Sequence, residues 1–179
     1  LFILWSGLNC LGRIYIAQEG INAQMSIPET SWDAFVDSLY SRNAFKAIPF
    51  KHAVDGNGKS FYKLMIKVKT RIVSDGITDP DFDASKTGAY LNAEDFNTAL
   101  NESGTIVVDM RNHYESEVGR FEGAFCPDAD TFREELPMVI EHLKGKESQK
   151  ILMYCTGGIR CEKASAYLRY KGFTSVYHL

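Results

Sequence analysis

No stretch of the sequence reaches the about 18 consecutive apolar residues that a membrane-crossing helix needs. The four cysteines form no Cys-x-x-Cys pair, and the four histidines and the cysteines show no zinc-finger spacing. Free thiols in a reducing compartment fit that usage best, so a cytoplasmic protein is expected. No signature of a metal, a flavin or any other cofactor is visible, and there is no internal repeat or low-complexity tract. The net charge is −3, so no overall basic field draws in nucleic acid or an anionic membrane. Any RNA-binding surface must then be a local patch. The opening "LFILWSGLNCLG" is apolar but lacks a basic leader and a small-residue cleavage site, so it reads as the end of a core helix rather than a signal peptide. The chain starts without Met and stops straight after "SVYHL"; both ends are expected to lie within a longer protein.

What is present is an ordinary globular composition, 45% apolar and 24% charged over 179 residues, enough for one large or two small domains without disulfide staples. In "GRIYIAQEGINAQMSI", Ile14 and Ile16 share one face, then Ile21, Ala23, Met25 and Ile27 share another around "EG", which predicts a hairpin. Trp32, Phe35, Val36 and Leu39 follow at helical spacing. "PFKHAV" predicts a short strand and "DGNGK" a turn. "SFYKLMIKVKTRIV" alternates, with Tyr62, Leu64, Ile66 and Val68 on its apolar side. Helix end, two strands, helix, two strands is the order of a ferredoxin-like α+β sandwich, expected over residues 1–73. Residues 74–88, "SDGITDPDFDASKTG", are acidic, lack apolar period, and read as an interdomain linker.

From residue 89 to 179 helix and strand signals alternate. Asn92 can cap "AEDFNTAL". "TIVVDM" and "KILMYC" are continuous apolar runs, expected of strands buried on both faces. "DADTFREELPMVIEHLKG" predicts a helix that Pro137 kinks or splits. "RCEKASAYLRYKG" predicts a helix stopped by Gly172, and "FTSVYHL" a last strand. The whole is an α/β chain whose second domain has a parallel sheet. Sites in such sheets lie beyond the carboxyl ends of the strands, where Asp109 and Cys155 fall.

The stretch "KILMYCTGGIRCE" carries the chemistry. A thiol with pKa ~8.5 is a slow nucleophile at neutral pH. Here the amides of residues 156–161 can curl around the Cys155 sulfur, with Gly157 and Gly158 permitting the positive φ that such a nest needs. The N-terminus of the next helix and the fixed cation of Arg160 add positive charge. Only Thr156, Gly157, Gly158 and Ile159 separate Cys155 from Arg160, and Tyr154 precedes it. The phosphatase signature has His before the Cys and one residue more before the Arg. The smaller ring suits a single sulfur, as thiolate or persulfide, better than a phosphate.

"DMRNHYESEVGRFEGA" and "MYCTGGIRCEKA" resemble the two halves of a rhodanese domain. The resemblance implies that Cys155 carries a persulfide and that Asp109 and Arg111 brace the domain. Arg120 stands where rhodaneses commonly have His. More narrowly, "GRIYIAQEGINAQMSIP", "FDASKTGAYL", "DTFREELP" and "MYCTGGIRCEKASAYL" resemble the rhodanese-related bacterial tRNA uridine hydroxylases. That family implies oxygen-dependent 5-hydroxylation of the wobble uridine, with dioxygen as co-substrate, the tRNA anticodon arm as partner and Cys155 as the essential cysteine. Two further readings stand beside it. One is a sulfurtransferase moving sulfur from thiosulfate or a persulfide donor. The other is a non-catalytic rhodanese-type binding module, against which the intact Cys155 and Arg160 argue.

The odd positions of residues 61–71 are Phe61, Lys63, Met65, Lys67, Lys69 and Arg71. The four cations could track a phosphate backbone, with Phe61 free to stack on a base, or could simply keep a strand face solvated. Cys161 could resolve an oxidised Cys155 or pack as a small core residue, the second being preferred. Cys10 is expected in the core, and Cys126, close in sequence to the active-site half, leaves a redox role open as its less favoured reading. His113 is the histidine to test for one. The charges of "FREE" at 132–135 are expected to be exposed on a helix, with Arg133 the candidate to face the cysteine.

Overall fold

The computed structural model describes residues 1–46, 48–52 and 60–179. The chain divides into two compact units, Leu1–Ile72 and Val73–Leu179.

In the first unit, α1 (Phe2–Gly7) is followed by the hairpin β1 (Leu11–Ala17) and β2 (Gly20–Ser26), then α2 (Trp32–Tyr40) and β3 (Leu64–Val68). The sheet order is β2-β1-β3, antiparallel in the hairpin and parallel between β1 and β3. Trp5, Cys10, Ile14, Phe35 and Leu39 form the core. Phe35 and Leu39 lie one turn apart on α2, so one stripe of the helix covers the sheet. The Trp5 indole donates to Ser38 Oγ at 2.8 Å, which satisfies the polar end of a fully buried ring. No strand forms at residues 49–52: Phe50 instead packs its ring on Trp32 at 5.0 Å. Ala53, Val54 and the expected "DGNGK" turn lie outside the described residues. Tyr62 and Val68 are 94% and 84% exposed, so only Leu64 and Ile66 of the expected apolar face reach the core.

The second unit contains β4 (Ala89–Tyr90), α3 (Ala93–Leu100), β5 (Ile106–Asp109), α4 (His113–Val118), α5 (Phe132–Leu143), β6 (Ile151–Tyr154), α6 (Ile159–Tyr170) and β7 (Val176–His178). The strands form one parallel sheet, ordered β4-β7-β6-β5. Strand alternation splits the interior in two. Val108, Ile151 and Met153 face a core shared with α5 and α6, whereas Val107, Leu152 and Tyr154 face one shared with Phe96 and Ala99 of α3. Full burial of each such aliphatic side chain is worth roughly 1.5–3 kcal/mol. Asn92 caps α3 as expected, accepting from the Asp95 amide at 2.9 Å. Pro137 lies inside α5 without splitting it.

The stretch expected to be a linker is a correction. Residues 73–88 fall within the second unit, and Ile77 belongs to its core. Asp75 forms an ion pair with Lys163 of α6 at 2.8 Å, both almost sealed from solvent. Tyr170 donates to Asp79 at 2.7 Å, and Ser165 Oγ accepts from the Gly88 amide at 2.9 Å. Any Cβ at Gly88 would lie 2.6 Å from the Val176 carbonyl oxygen, so only glycine permits that approach. The acidic residues that suggest a solvated spacer fasten a strap to α6.

Candidate active site

β5 and β6 are paired so that Asp109 and Tyr154 are neighbours, which brings Asp109 and Cys155 to the same carboxyl edge of the sheet. The chain turns into α6 through residues 155–158. Gly158, at φ 86°, makes the left-handed step expected of the loop, and its amide donates to Cys155 Sγ at 3.1 Å.

The Cys155 thiol is lowered to about 6. The largest cause is a hydrogen bond from the Cys161 thiol; burial opposes it, and the Cys161 amide, the Arg160 cation and the Gly158 amide add to it. Cys161, fully buried, is pushed well above its ordinary value by burial and by its sulfur partner. The two thiols therefore divide their roles, Cys155 ionising and Cys161 donating. The sulfur is thus held by two amides and a thiol rather than by the whole expected ring of amides from 156 to 161. Cys161, expected mainly to fill space, is also the largest cause of the lowered Cys155 thiol.

Arg160 is held away from free rotation by a carboxylate. Its guanidinium donates to both oxygens of Glu115 at 2.8 and 3.1 Å, and to Asn112 Oδ1 and Thr156 Oγ1 at 3.3 and 3.2 Å. Thr156 also bonds Glu115. Glu115 completes a capping box with Asn112 at the start of α4. The hydrogen bond from Arg160 is the main cause that brings the Glu115 carboxyl down to about 2, against burial. In the sequence Glu115 is legible only as a motif residue; here it fixes the cation of the site.

Asp109, fully buried, accepts from Arg111 Nε and Nη2 at 2.8 and 2.7 Å and from the Tyr154 hydroxyl at 2.7 Å. Arg111 also donates to the Gly119 carbonyl oxygen at 2.5 Å. These bonds tie the loop after α4 to the sheet. Cys126 joins the group, with its thiol 3.9 Å from Asp109 and raised by burial and by that carboxylate.

The outer residues sit elsewhere. His113 faces Glu117 and Asp128 at 3.2 and 3.3 Å. Arg133 is exposed and lies along Gly76 of the strap. Glu135, expected on the surface with the other charges of "FREE", is 1% exposed. Cys10 is in the core as expected.

Of the cationic stripe, Lys67 lies within β3 and Lys63 and Lys69 bracket it, their backbones still paired to β1. All three and Arg71 are exposed. Register sets Tyr15 beside Lys67, and alternation along β1 puts Arg13 and Tyr15 on the face opposite the buried Ile14. Lys69 Nζ stands 5.4 Å from the Tyr15 ring centre. The sequence pattern of β3 alone misses Arg13 and Tyr15.

Among the described residues, no group of three or more His, Cys, Asp or Glu side chains is placed to hold a metal ion, and no helix is long and apolar enough to cross a membrane.

Comparison with known proteins agrees with this division. Residues 1–72 match the "UPF0176 acylphosphatase like domain" and residues 92–179 the "Rhodanese-like domain". A Leptospira interrogans protein named tRNA uridine(34) hydroxylase is 56% identical over 179 residues, covering 100% of this chain and 49% of that protein. One of the same name from Escherichia fergusonii is 52% identical over 180 residues, covering 100% and 51%. The chain thus spans about half the length of the curated relatives it matches. A crystal structure of the Alr3790 protein from Anabaena sp. aligns with 49% of this chain and 75% of its own at 22% identity, with a TM-score of 0.41.

Proposed function

Since the chain belongs, by its two domains, to the UPF0176 acylphosphatase-like and rhodanese-like families, we propose that it serves tRNA uridine(34) hydroxylation, with Cys155 as the reacting atom. The single observation that carries this reading is a thiol lowered to about 6 beside a guanidinium clamped by Glu115. Such a sulfur is mostly thiolate at neutral pH, and so is poised for covalent chemistry. Arg160 and the two amides stabilise negative charge on it or on an atom it carries.

In this reading the first unit takes the RNA. Arg13, Lys63, Lys67, Lys69 and Arg71 supply cations for the phosphates of the anticodon arm, while Tyr15 and Phe61 supply ring faces. The uridine must be unstacked and presented at Cys155, as enzymes acting on bases require. Dioxygen is the co-substrate that the family resemblance implies, and the cytoplasm is where tRNA places the reaction.

A second reading rests on the size of the loop. The cradle closes on one sulfur atom, which also suits a persulfide passed from thiosulfate or another donor to a thiol acceptor.

One experiment separates them. The full-length protein, as wild type and Cys155→Ala, is expressed in cells lacking their own copy, and the tRNA nucleosides are analysed by mass spectrometry. Nucleosides derived from 5-hydroxyuridine are expected with wild type and absent with Cys155→Ala. Equal amounts from both would remove Cys155 from the chemistry. None from either, with brisk thiosulfate turnover, would favour sulfur transfer.

A further inference from the structure

The sheet of the first unit has two unlike faces, because side chains alternate along each strand. Ile14 of β1 lies in the core with Phe35 and Leu39 of α2, and Ile21 of β2 and Ile66 of β3 pack against it. The residues between them point the other way, away from that helix. Register sets these outward residues in rows across β2, β1 and β3. Gln24, Arg13 and Met65 form one row, and Asn22, Tyr15 and Lys67 the next. Arg13, Gln24 and Lys67 are exposed; Tyr15, Asn22 and Met65 are half-buried.

Tyr15 stands at the centre of this outer face. Asn22 lies beside it on β2 and Lys67 beside it on β3. Arg13 precedes it on the same strand, and Lys69 Nζ stands 5.4 Å from its ring centre. No outward position of the three strands carries Asp or Glu. The acid of the hairpin turn, Glu19, accepts from the Ile72 amide at 2.8 Å. A chain of net charge −3 thus gathers Arg13, Lys67 and Lys69 around one ring, which suits a polyanion. The two sides of the ring differ. Toward β3 the groups are cations, which neutralise phosphates without reading a base. Toward β2 they are the primary amides of Asn22 and Gln24, each with one acceptor oxygen and two N–H donors. Such a group matches the adjacent donor and acceptor on a base edge and carries no charge to draw in a phosphate.

We propose that this face binds unpaired nucleotides of the anticodon loop in one orientation. A base stacks on Tyr15, base edges turn to Asn22 and Gln24 of β2, and phosphates run along Lys67 and Lys69 of β3. In a duplex stem each base is stacked on its neighbours and paired along its edge, so a ring and two amides on a flat face find nothing to hold. An unstacked loop base offers both a ring face and a free edge. This rests on the reading that the first unit takes the RNA, and it adds which nucleotides are held and which way they lie.

The test follows binding of a labelled anticodon stem–loop to the full-length protein by fluorescence anisotropy. A short single strand of the loop sequence should displace it at a concentration about tenfold or more below that of a blunt duplex of the stem sequence. Tyr15→Leu keeps apolar bulk and removes the ring. It should weaken stem–loop binding roughly 5- to 150-fold with an unchanged salt slope, because stacking neutralises no phosphate. Tyr15→Phe should bind as wild type. Lys67→Ala should instead lower the slope by about 0.7. Asn22→Ala combined with Gln24→Ala should narrow the spread of affinities among oligo(U), oligo(C) and oligo(A). Equal displacement by duplex and single strand, or Tyr15→Leu binding within about twofold of wild type, overturns the proposal. A spread that the two amide substitutions leave unchanged overturns the orientation. No binding of the stem–loop at all overturns the RNA reading of the first unit and this proposal with it. Intact stem–loop binding without 5-hydroxyuridine-derived nucleosides in cells removes the hydroxylase reading alone.

Discussion

Removing the Cys161 thiol should return Cys155 most of the way to an ordinary cysteine. The Cys161 thiol is the largest cause of the lowered Cys155 value, ahead of its own amide, Arg160 and the Gly158 amide. A hydrogen bond to a charged group is worth roughly 1.5–3 kcal/mol, and one pKa unit corresponds to roughly 1.4 kcal/mol, so Cys161→Ala should raise Cys155 by about one to two units. From a starting value of about 6, the thiolate share at pH 7 should fall from roughly nine-tenths to between a half and a tenth. The assay is the rate of Cys155 alkylation by iodoacetamide across pH, with the site read by peptide mass spectrometry. Wild type should show a midpoint near 6, and Cys161→Ala one between about 7 and 8, with similar plateaus at high pH. Cys161→Ser keeps an O–H donor and should remain near wild type. A Cys161→Ala midpoint within about half a unit of wild type would refute the donor role.

The same pair has a stability signature with a definite sign. Cys155 is an acid whose folded value lies below its unfolded one. Its contribution is therefore complete above the unfolded value of about 8.5 and is lost as pH falls through about 6. The stability lost in Cys161→Ala should be larger at pH 8 than at pH 5: the cavity left at residue 161 costs the same at both, and Cys161, whose own folded value is raised, begins to offset the loss only above its unfolded value of about 8.5.

Glu115 follows the carboxylate version of this rule. Its lowered value makes its contribution complete above its unfolded value, near 4.5, and lost as pH falls through about 2. Glu115→Gln should cost about 1–3 kcal/mol in urea unfolding at pH 7 and much less at pH 3, and a pH-independent cost would contradict the clamp. Breaking the buried Asp75–Lys163 pair with Lys163→Met should cost about 3–5 kcal/mol, because Asp75 is left charged in the interior. Asp75→Leu combined with Lys163→Met should recover much of that loss, and additive losses would show that the two residues act separately. Replacing Lys63, Lys67 and Lys69 by Ala should weaken tRNA binding and reduce the slope of log affinity against log salt by about two, since each phosphate no longer neutralised removes about 0.7. An unchanged slope would remove the β3 face from the RNA surface.

The legible parts of the fold are those where local chemistry and burial agree. "TIVVDM" and "KILMYC" read as doubly buried strands because their alternate residues feed two cores, and both faces are apolar. The Asn92 cap and the hairpin are visible for the same reason. Three residues escape the sequence pattern for one cause: a polar side chain reads as solvent-facing. Asp75 reads as part of a spacer, but it carries a buried ion pair. Glu135 reads as a surface charge, but it faces the core of its own helix. Glu115 matches a motif, yet only coordinates show its carboxylate on Arg160. Composition marks a charge as exposed, and the partner that permits its burial lies 88 residues away for Asp75 and 45 for Glu115. Val68 and Tyr62 err in the other direction: alternation alone cannot tell a sheet face from a strand end beyond the core.

Two of these three residues lead to α6, which ties the strap to the chemistry. Cys161, Lys163, Ala164, Ser165, Ala166 and Leu168 are all buried, so the helix has no solvated face of the usual width and gives a weak amphipathic signal. Its polar side chains are used internally. Lys163 holds Asp75, Ser165 holds the Gly88 amide, Arg169 holds the Thr87 carbonyl oxygen at 2.6 Å, and Tyr170 holds Asp79. At the other end, the amides of Gly158 and Cys161 must stay within hydrogen-bond reach of one sulfur, and Arg160 must stay on Glu115. A helix anchored along its length by residues 75–88 cannot tilt without breaking several of these bonds, so the aim of its N-terminus at Cys155 is held from a distance. On this view the strap is part of the active centre, and its acidic residues serve α6 rather than solvent.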